Sequence, residues 1–349
     1  MKKRDVINLI KYHVQHNDSA FREQAYQIAL DFDRTGDYNL AEYVTAMLSD
    51  ANTLVPQMAE TPSSPFLQKA EGSRAPLPLP DPLAQDIVGI VNAVGHNVGV
   101  NKFLFQGPPG TGKTESVRQI ASITSRELYV ANLSAVVDSK LGQTAKNIEK
   151  LFQSINGFAH PERVLVLFDE IDALALDRIN QHDVREMGRA TSTFLQKLDT
   201  LNNRVALIAT TNLYDRLDKA LVRRFDAVID FDRYTRDDLL DIAEAILEGL
   251  LARFDSAARD MRLFRRIMAL QDPVPYPGDL RNMLRSALAF SSPNDPYEYL
   301  RRLYVACSGA PPTDLQVLAS QGLTVRQISI LSGVSKSTVS RELMGAANA

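Results

Sequence analysis

The sequence predicts an α/β fold in which five parallel strands form the central sheet. Between residues 83 and 232, short runs rich in β-branched and aromatic residues alternate with helical patterns. Such alternation is typical of a parallel sheet that is covered by helices on both faces. The predicted strands are Lys102–Gln106, Glu127–Val130, Val164–Phe168, Val205–Ala209 and Ala227–Phe231. The chain has 349 residues, of which 45% are hydrophobic and 23% are charged, so it can bury a core without disulfides.

The segments on either side of this core have different patterns. Residues 1–55 predict a small helical adaptor, because apolar residues recur every three or four positions. Residues 56–82 contain seven of the 17 prolines. Proline fixes φ and removes a hydrogen-bond donor, so we expect an extended linker there. Residues 233–305 have a purely helical pattern, and residues 313–349 predict a separate helix-turn-helix tail.

Charge, cysteine content and hydropathy exclude several classes of protein. The net charge of −3 provides no overall basic field that would attract nucleic acid or a membrane surface. Cys307 is the single cysteine, which excludes an intrachain disulfide and a zinc site with several cysteines. No apolar run approaches the roughly 18 residues of a membrane-spanning helix. The first residues are too quickly polar for a secretory signal, so we expect a cytoplasmic protein.

A glycine-rich loop follows the first predicted strand and precedes a helix. The loop consists of Gly107, Pro108, Pro109, Gly110, Thr111, Gly112, Lys113 and Thr114. In this context the spacing is typical of a loop whose backbone N–H groups bind phosphate oxygens. We expect Lys113 to contact the β- and γ-phosphates of ATP, Thr114 to ligate Mg²⁺, and Glu115 to lie in the same site.

The third predicted strand ends in two acidic residues, Asp169 and Glu170. A buried strand in this position brings Asp169 to the Mg²⁺ side of the phosphates and Glu170 to the attacking water, as a general base. Acidic residues at strand ends also cap helices, which is the alternative interpretation. The phosphate-binding loop earlier in the chain favours the catalytic interpretation.

Four segments, in this order, resemble the AAA ATPases: GPPGTGKT, LVLFDEIDAL, IATTN and LDKALVRRFD. The resemblance implies an ATP-hydrolysing core with Walker A and Walker B motifs, a small helical lid, and assembly into a hexameric ring. It implies that Asn212 is the polar sensor that orients the lytic water, the alternative being a turn asparagine. It also implies that Arg223 and Arg224 are arginine fingers that reach the neighbouring subunit's site, although the usual spacer between them is absent. A solvated basic turn is the alternative for this pair.

Three further segments carry weaker parts of the same resemblance. Arg281, in the segment PGDLR, matches the second sensor, and a surface helix residue is the alternative. Lys140 and Leu141 align with the pore loop of AAA unfoldases, although that loop usually contains an aromatic residue. A loop that only signals between subunits is the alternative there. The segment Asp86-Ile87-Val88-Gly89 superficially resembles the family's entry motif, but the surrounding pattern predicts a helix.

The tail predicts two short helices joined by a turn at Gly333. Ile328, Val334 and Val339 fit the buried positions of a helix-turn-helix. The second helix offers side chains that can contact phosphates and base edges, namely Lys336, Ser337, Thr338, Ser340 and Arg341. Because residues 313–349 carry a net charge of only +1, DNA binding by one tail would be weak, and a ring would need several tails. A helical hairpin that packs on the lid or binds a partner protein is the alternative.

The helices at both ends of a small AAA core resemble a prokaryotic subgroup of these ATPases. Its members are encoded beside a subtilisin-like serine protease in anti-phage or plasmid-maintenance modules. This resemblance implies that the N-terminal helices recruit or regulate the protease, and an oligomerisation or substrate-docking domain is the alternative. The sequence therefore predicts an ATP-driven remodeller that regulates or feeds a partner protein. A DNA-binding ATPase or regulator that uses the tail is the second interpretation.

Overall fold

The computed structural model describes most of the chain, with short gaps. The described residues are 3–15, 17–48, 64–73, 78–96, 98–137, 143–174 and 184–347. The chain divides into two compact units, residues 1–61 and 62–349, so the boundary falls inside the predicted linker. Among the described residues, no helix is long and apolar enough to cross a membrane.

The described part of the first unit contains three helices, as its apolar spacing predicts. They are α1 (Lys3–Val14), α2 (Asp18–Thr35) and α3 (Tyr38–Leu48). Helix α2 is capped by the side chain of Asn17, which accepts a hydrogen bond from the backbone N–H of Ala20. Helix α2 is followed by Gly36 in the left-handed region, with a φ of 88°.

The residues of the second unit that the structure describes include a sheet of six strands. They are β1 (Leu67–Ala70), β2 (Lys102–Gln106), β3 (Glu127–Ala131), β4 (Val164–Phe168), β5 (Ala206–Thr211) and β6 (Ala227–Asp230). The strand order is β1-β3-β4-β5-β2-β6. The five predicted strands are all present, and every pairing among them is parallel. The predicted count of five is one too low, because β1 adds an antiparallel strand at the edge.

Strand β1 corrects the prediction that residues 56–82 form only a linker. Leu67 pairs with Ala131 of β3, and the ammonium group of Lys69 lies 2.8 Å from a carboxylate oxygen of Glu127. The side chain of Phe66 is buried against the sheet. The sequence LQKA has too few apolar residues to indicate a strand. Its pairing depends on the exposed backbone of β3, which only the folded sheet provides.

Helices cover both faces of the sheet, and alternate side chains of each strand enter opposite cores. The covering helices are α4 (Asp81–His96), α5 (Lys113–Ile123), α6 (Leu133–Val136), α7 (Gln143–Asn156), α8 (Val184–Asp199) and α9 (Lys219–Val222). Leu104 belongs to the core that also contains residues of α7 and α8. Phe103 and Phe105 belong to the core formed with α4 and α5. The segment Asp86–Gly89 lies within α4, so the prediction that it is helical is confirmed.

Between β6 and residue 347, the last that the structure describes, seven helices share a third apolar core. They are α10 (Arg236–Leu251), α11 (Met261–Met268), α12 (Pro277–Ala289), α13 (Glu298–Ser308), α14 (Leu315–Ser320), α15 (Val325–Ser332) and α16 (Lys336–Ala347). Ile328 of α15 and Val339 of α16 are fully buried in the same cluster as Leu300 of α13. The tail therefore packs onto the preceding helices rather than forming a core of its own.

Candidate functional site

An open cleft of about 420 Å³ lies where β2, β4 and β5 end. Ligand sites in open α/β sheets form at this edge, because loops from several parallel strands meet there. The cleft is lined by ten of the residues that the sequence predicted for the site: Pro109, Gly110, Gly112, Lys113, Thr114, Glu115, Asp169, Glu170, Asn212 and Arg281. The structure therefore brings together segments separated by more than a hundred positions in the sequence.

The phosphate-binding loop connects β2 directly to α5. Gly107 has a φ of 138°, and a Cβ atom at this position would lie 3.1 Å from Cβ of Phe231. Both the backbone conformation and the close approach of the residue that follows β6 therefore favour glycine there. Gly112, with a φ of 94°, is the N-cap of α5. The loop leads into the positive end of a helix dipole, which favours a bound anion.

Lys113 is 7% exposed and lies in the centre of the loop. Its ammonium group donates to the carbonyl oxygens of Gly107 (2.7 Å) and Pro108 (2.8 Å) and to Oδ1 of Asn212 (2.8 Å). Burial lowers the pKa of Lys113 to about 8, although the negative charges of Asp169 and other nearby carboxylates partly oppose this shift. The cationic form of Lys113 therefore begins to lose its proton only slightly above neutral pH.

Asp169 and Glu170 follow β4 and lie beside the start of α5. The hydroxyl group of Thr114 donates to Oδ1 of Asp169 at 3.0 Å. A hydroxyl oxygen next to a carboxylate is the donor chemistry that Mg²⁺ prefers, so Thr114 and Asp169 fit the predicted metal ligands. Glu170 has a φ of 54°, an unusual conformation for a residue other than glycine. Such outliers are concentrated at functional sites.

The end of β5 supplies two polar residues, Thr210 and Asn212. The predicted sensor, Asn212, accepts from Lys113 and donates its backbone N–H to Oδ1 of Asp172 at 3.4 Å. Thr210 lines the same cleft, although no sequence pattern predicted it as a site residue. The available signal was the position of Thr210 immediately before Thr211 and Asn212, at the carboxyl end of a predicted strand.

The start of α12 contacts the phosphate-binding loop through its backbone. The N–H of Gly278 donates to the carbonyl oxygen of Gly110 at 2.8 Å. Gly278 has no room for a side chain, because a Cβ there would lie 2.9 Å from Cα of Gly110. Arg281 and Asn282, one turn further along α12, line the cleft.

Two tyrosines that no sequence pattern predicted form further hydrogen bonds close to the loop. The hydroxyl group of Tyr234 donates to the carbonyl oxygen of Thr111 at 2.6 Å, and that of Tyr276 donates to Asp232. The hydrogen bond to Asp232 raises the pKa of Tyr276 to about 12, and burial raises the pKa of Tyr234. Both phenols therefore stay protonated over the physiological range and can act as donors.

The two predicted arginine fingers lie outside this chain's own cleft and differ from each other. Arg223 is exposed. Arg224 is held within the chain, since Nη1 donates to the carbonyl oxygen of Ala220 at 2.7 Å. Its Nε lies 3.1 Å from a carboxylate oxygen of Asp199, at the end of α8.

The two remaining groups of predicted residues are those of the pore loop and those of the tail. Lys140 and Leu141, assigned to a pore loop, lie outside the described residues. In the tail, Lys336, Ser337 and Arg341 are exposed on α16, and Thr338 is half-buried. The turn between α15 and α16 begins at Gly333, which has a φ of 74°. Of the three predicted interior positions, Ile328 and Val339 are fully buried, and Val334 is partly buried against the same core.

Comparison with known proteins identifies the sheet-containing segment. Residues 103–233 match the family model described as "ATPase family associated with various cellular activities (AAA)". The AAA family ATPase y4kL of Sinorhizobium fredii is 40% identical over 133 residues, which cover 38% of this chain and 39% of the relative. Proteasome-activating nucleotidase 2 of Haloferax volcanii is 28% identical over 277 residues, which cover 73% of this chain and 61% of the relative.

A solved structure, described as "Crystal structure of FIGL-1 AAA domain in complex with ADP", has a similar fold. The TM-score is 0.53 at 20% identity, and the match covers 78% of this chain and 97% of that chain. The chain spans less than two thirds of the length of the two relatives named above. The comparisons show that residues 103–233 match an AAA-type ATPase domain and that the chain has the α/β fold of such a domain.

Proposed function

We propose that this chain hydrolyses ATP in the described cleft. The observation that carries the proposal is the direct contact between the predicted groups: Lys113 with Asn212, and Thr114 with Asp169. Lys113 and the N-terminal end of α5 bind the phosphates, Thr114 and Asp169 hold Mg²⁺, and Asn212 and Glu170 orient and deprotonate the attacking water. When bound there, Mg²⁺ would neutralise charge on the phosphate oxygens.

We propose that the active form is a ring of copies, with six as the expected number. Arg223 and Arg224 do not line their own chain's cleft, and Arg223 is exposed at the end of α9. An arginine that stabilises the transferred phosphoryl group must lie beside the phosphates. The arrangement therefore supports the insertion of Arg223 into the cleft of a neighbouring copy.

We propose that hydrolysis serves to remodel or regulate a partner protein in the cytoplasm. The first unit supports a role in recruitment, because Ile7, Ile10 and Val14 on α1 are 60–70% exposed. These residues follow each other at helical spacing and form one apolar stripe. The proposed partner is a subtilisin-like protease, and the proposed setting is anti-phage defence or plasmid maintenance.

The test uses Glu170→Gln, which removes the general base and keeps the shape of the side chain. We expect the turnover of this variant to fall about 10²–10⁴-fold and ATP to remain bound. The variant is purified from its native host in the presence of ATP and Mg²⁺. The proteins that remain bound to it are identified by mass spectrometry. Lys113→Ala, which cannot hold the phosphates, is the negative control, and Glu149→Gln on the exposed side of α7 is the matched control.

Capture of a protease or another protein that requires ATP and is lost with Lys113→Ala supports the proposal. Wild-type turnover of ATP that is no faster than that of Glu170→Gln contradicts the assignment of hydrolysis to this cleft. If no protein is captured, and if mixing with candidate partners does not change ATP turnover, the remodelling role is wrong. The ATPase assignment still stands in that case.

A second candidate function is DNA binding through the tail, because Lys336 and Arg341 are exposed on α16. The double variant Lys336→Glu with Arg341→Glu reverses both charges. If the tail binds DNA, the double variant should lose DNA binding, including the part of the affinity that depends on salt concentration. Equal DNA binding by the variant and the wild type removes this candidate.

A further inference from the structure

We propose that Thr210 is a positioning residue that sets the geometry of both acidic residues in the cleft. Its side chain is 1% exposed at the end of β5. Its hydroxyl group donates to Oδ1 of Asp169 at 2.6 Å and accepts the backbone N–H of Glu170 at 2.9 Å. One hydroxyl group therefore connects the metal ligand to the backbone of the general base. The inference rests on the function proposed above and adds a residue to it.

The sheet places Thr210 beside the two acids. Strands β4 and β5 are parallel neighbours, and Phe168 lies opposite Ala209. The next residue on each strand is therefore Asp169 on one side and Thr210 on the other. Because this register is set by backbone hydrogen bonds, the hydroxyl group lies at a defined distance from the carboxylate.

The contact with Asp169 is independent of the phosphate-binding loop. Asp169 also accepts from Thr114, at 3.0 Å, but Thr114 belongs to α5 and is itself a predicted metal ligand. Thr210 belongs to the sheet and is buried. It therefore restrains the carboxylate from the protein side, as second-layer hydrogen bonds do at metal sites.

The contact with Glu170 acts on the backbone. Glu170 has a φ of 54°, and residues with a Cβ atom rarely adopt this conformation without support from surrounding contacts. The hydrogen bond from its N–H to Thr210 is such a contact. The carboxylate of Glu170 is therefore directed into the cleft partly by a hydroxyl group on the neighbouring strand.

The experiment compares Thr210→Val, which keeps the shape and removes the hydroxyl, with Thr210→Ser, which keeps the hydroxyl. The matched control is Thr211→Val, because Thr211 is equally buried and its hydroxyl oxygen accepts from the N–H of Leu213. Two quantities are measured in the full chain. The first is the Mg²⁺ concentration that half-saturates tight binding of a fluorescent ADP analogue, and the second is kcat for ATP.

Thr210→Val should raise the half-saturating Mg²⁺ concentration and lower kcat, each by roughly 10–100-fold, the range found when outer contacts of metal ligands are removed. Binding of the analogue without Mg²⁺ should not change. Thr210→Ser should restore both quantities to within about threefold of the wild type, because it keeps both hydrogen bonds. Thr211→Val should match the wild type in both.

Wild-type values for Thr210→Val overturn the proposal. An equal loss in Thr210→Ser also overturns it, because packing rather than the hydroxyl group would then be responsible. An equal loss in Thr211→Val overturns it too, because removing a different buried hydroxyl group at the end of β5 would then have the same effect. If Thr210→Val does not fold by circular dichroism, Thr210→Ala replaces it, and the same comparison with Thr210→Ser decides. Absence of ATP turnover in the wild type would contradict the proposed function. In that case, the Mg²⁺ dependence of analogue binding still tests the role of Thr210.

Discussion

The cleft and the tail use polar residues in opposite ways. In the cleft, Lys113 and Asn212 are bonded to each other, and Asp169 accepts hydrogen bonds from two hydroxyl groups. In the tail, Lys336 and Arg341 are exposed, whereas the apolar side of the same helix pair is built into the third core. Hydrogen bonds within the folded chain therefore orient the functional groups of the cleft. In the tail, packing fixes only the buried sides of the two helices.

The largest expected effect is a loss of kcat when Arg223 is removed. In contrast to the residues of the cleft, this arginine is proposed to act in the cleft of a neighbouring copy. Arg223→Ala should lower kcat about 10³-fold or more and leave ATP binding intact, because the transition-state charge loses its partner. Adding an inactive Lys113→Ala chain, which still carries Arg223, should restore part of the activity in mixed rings. The measurement is steady-state ATP hydrolysis against the ratio of the two chains.

Arg224→Ala is the matched comparison at the adjacent position. Because Arg224 is held by Ala220 and Asp199 within the chain, Arg224→Ala should lower the free energy of unfolding by roughly 1 kcal/mol and therefore lower the melting temperature. Arg223→Ala should not change the melting temperature. A wild-type kcat for Arg223→Ala, or no recovery of activity on mixing, would contradict the division of roles and action between subunits.

An intermediate effect should separate the core of the tail from its surface. Ile328 is 0% exposed, so Ile328→Ala should lower the free energy of unfolding by about 2–5 kcal/mol through lost contacts and a cavity. Val325, at the start of the same helix, is 36% exposed, and Val325→Ala should change stability by less than about 0.5 kcal/mol. Chemical denaturation of the full chain measures both. Similar losses for the two variants would contradict the burial of α15 in the third core.

The smallest expected effect is the pH dependence of kcat/KM for ATP, which follows from the charge of Lys113. Lys113 has a lowered pKa of about 8, so its charge is present below that pH and is lost above it. kcat/KM for ATP should therefore fall about tenfold per pH unit above this value, since this ratio reports the free enzyme. Lys113→Arg, which stays charged, should show no such decline, whatever its absolute activity. A flat wild-type profile up to pH 10 would show that Lys113 keeps its proton.

The predicted residues of the cleft were accessible from the sequence because each occupies a defined position relative to a strand. Lys113 follows β2, Asp169 follows β4 and Asn212 follows β5, so carboxyl ends of parallel strands bring them to one edge. Tyr234 and Tyr276 were not predicted, because their partners depend on how α10 and α12 approach the loop. Thr210 was not predicted either, since threonine is common in strands and only the register of β5 against β4 makes its hydroxyl important.

The sequence by itself determined the α/β class, the phosphate-binding loop, the pair of acids and the three N-terminal helices, because these depend on local spacing and periodicity. Only the tertiary structure decided that Leu67–Ala70 joins the sheet and that the tail shares a core with α10–α13. It also decided that Arg224 is anchored while Arg223 is exposed. The reason is physical: adjacent residues of the same type differ only in the partners that distant segments bring to them.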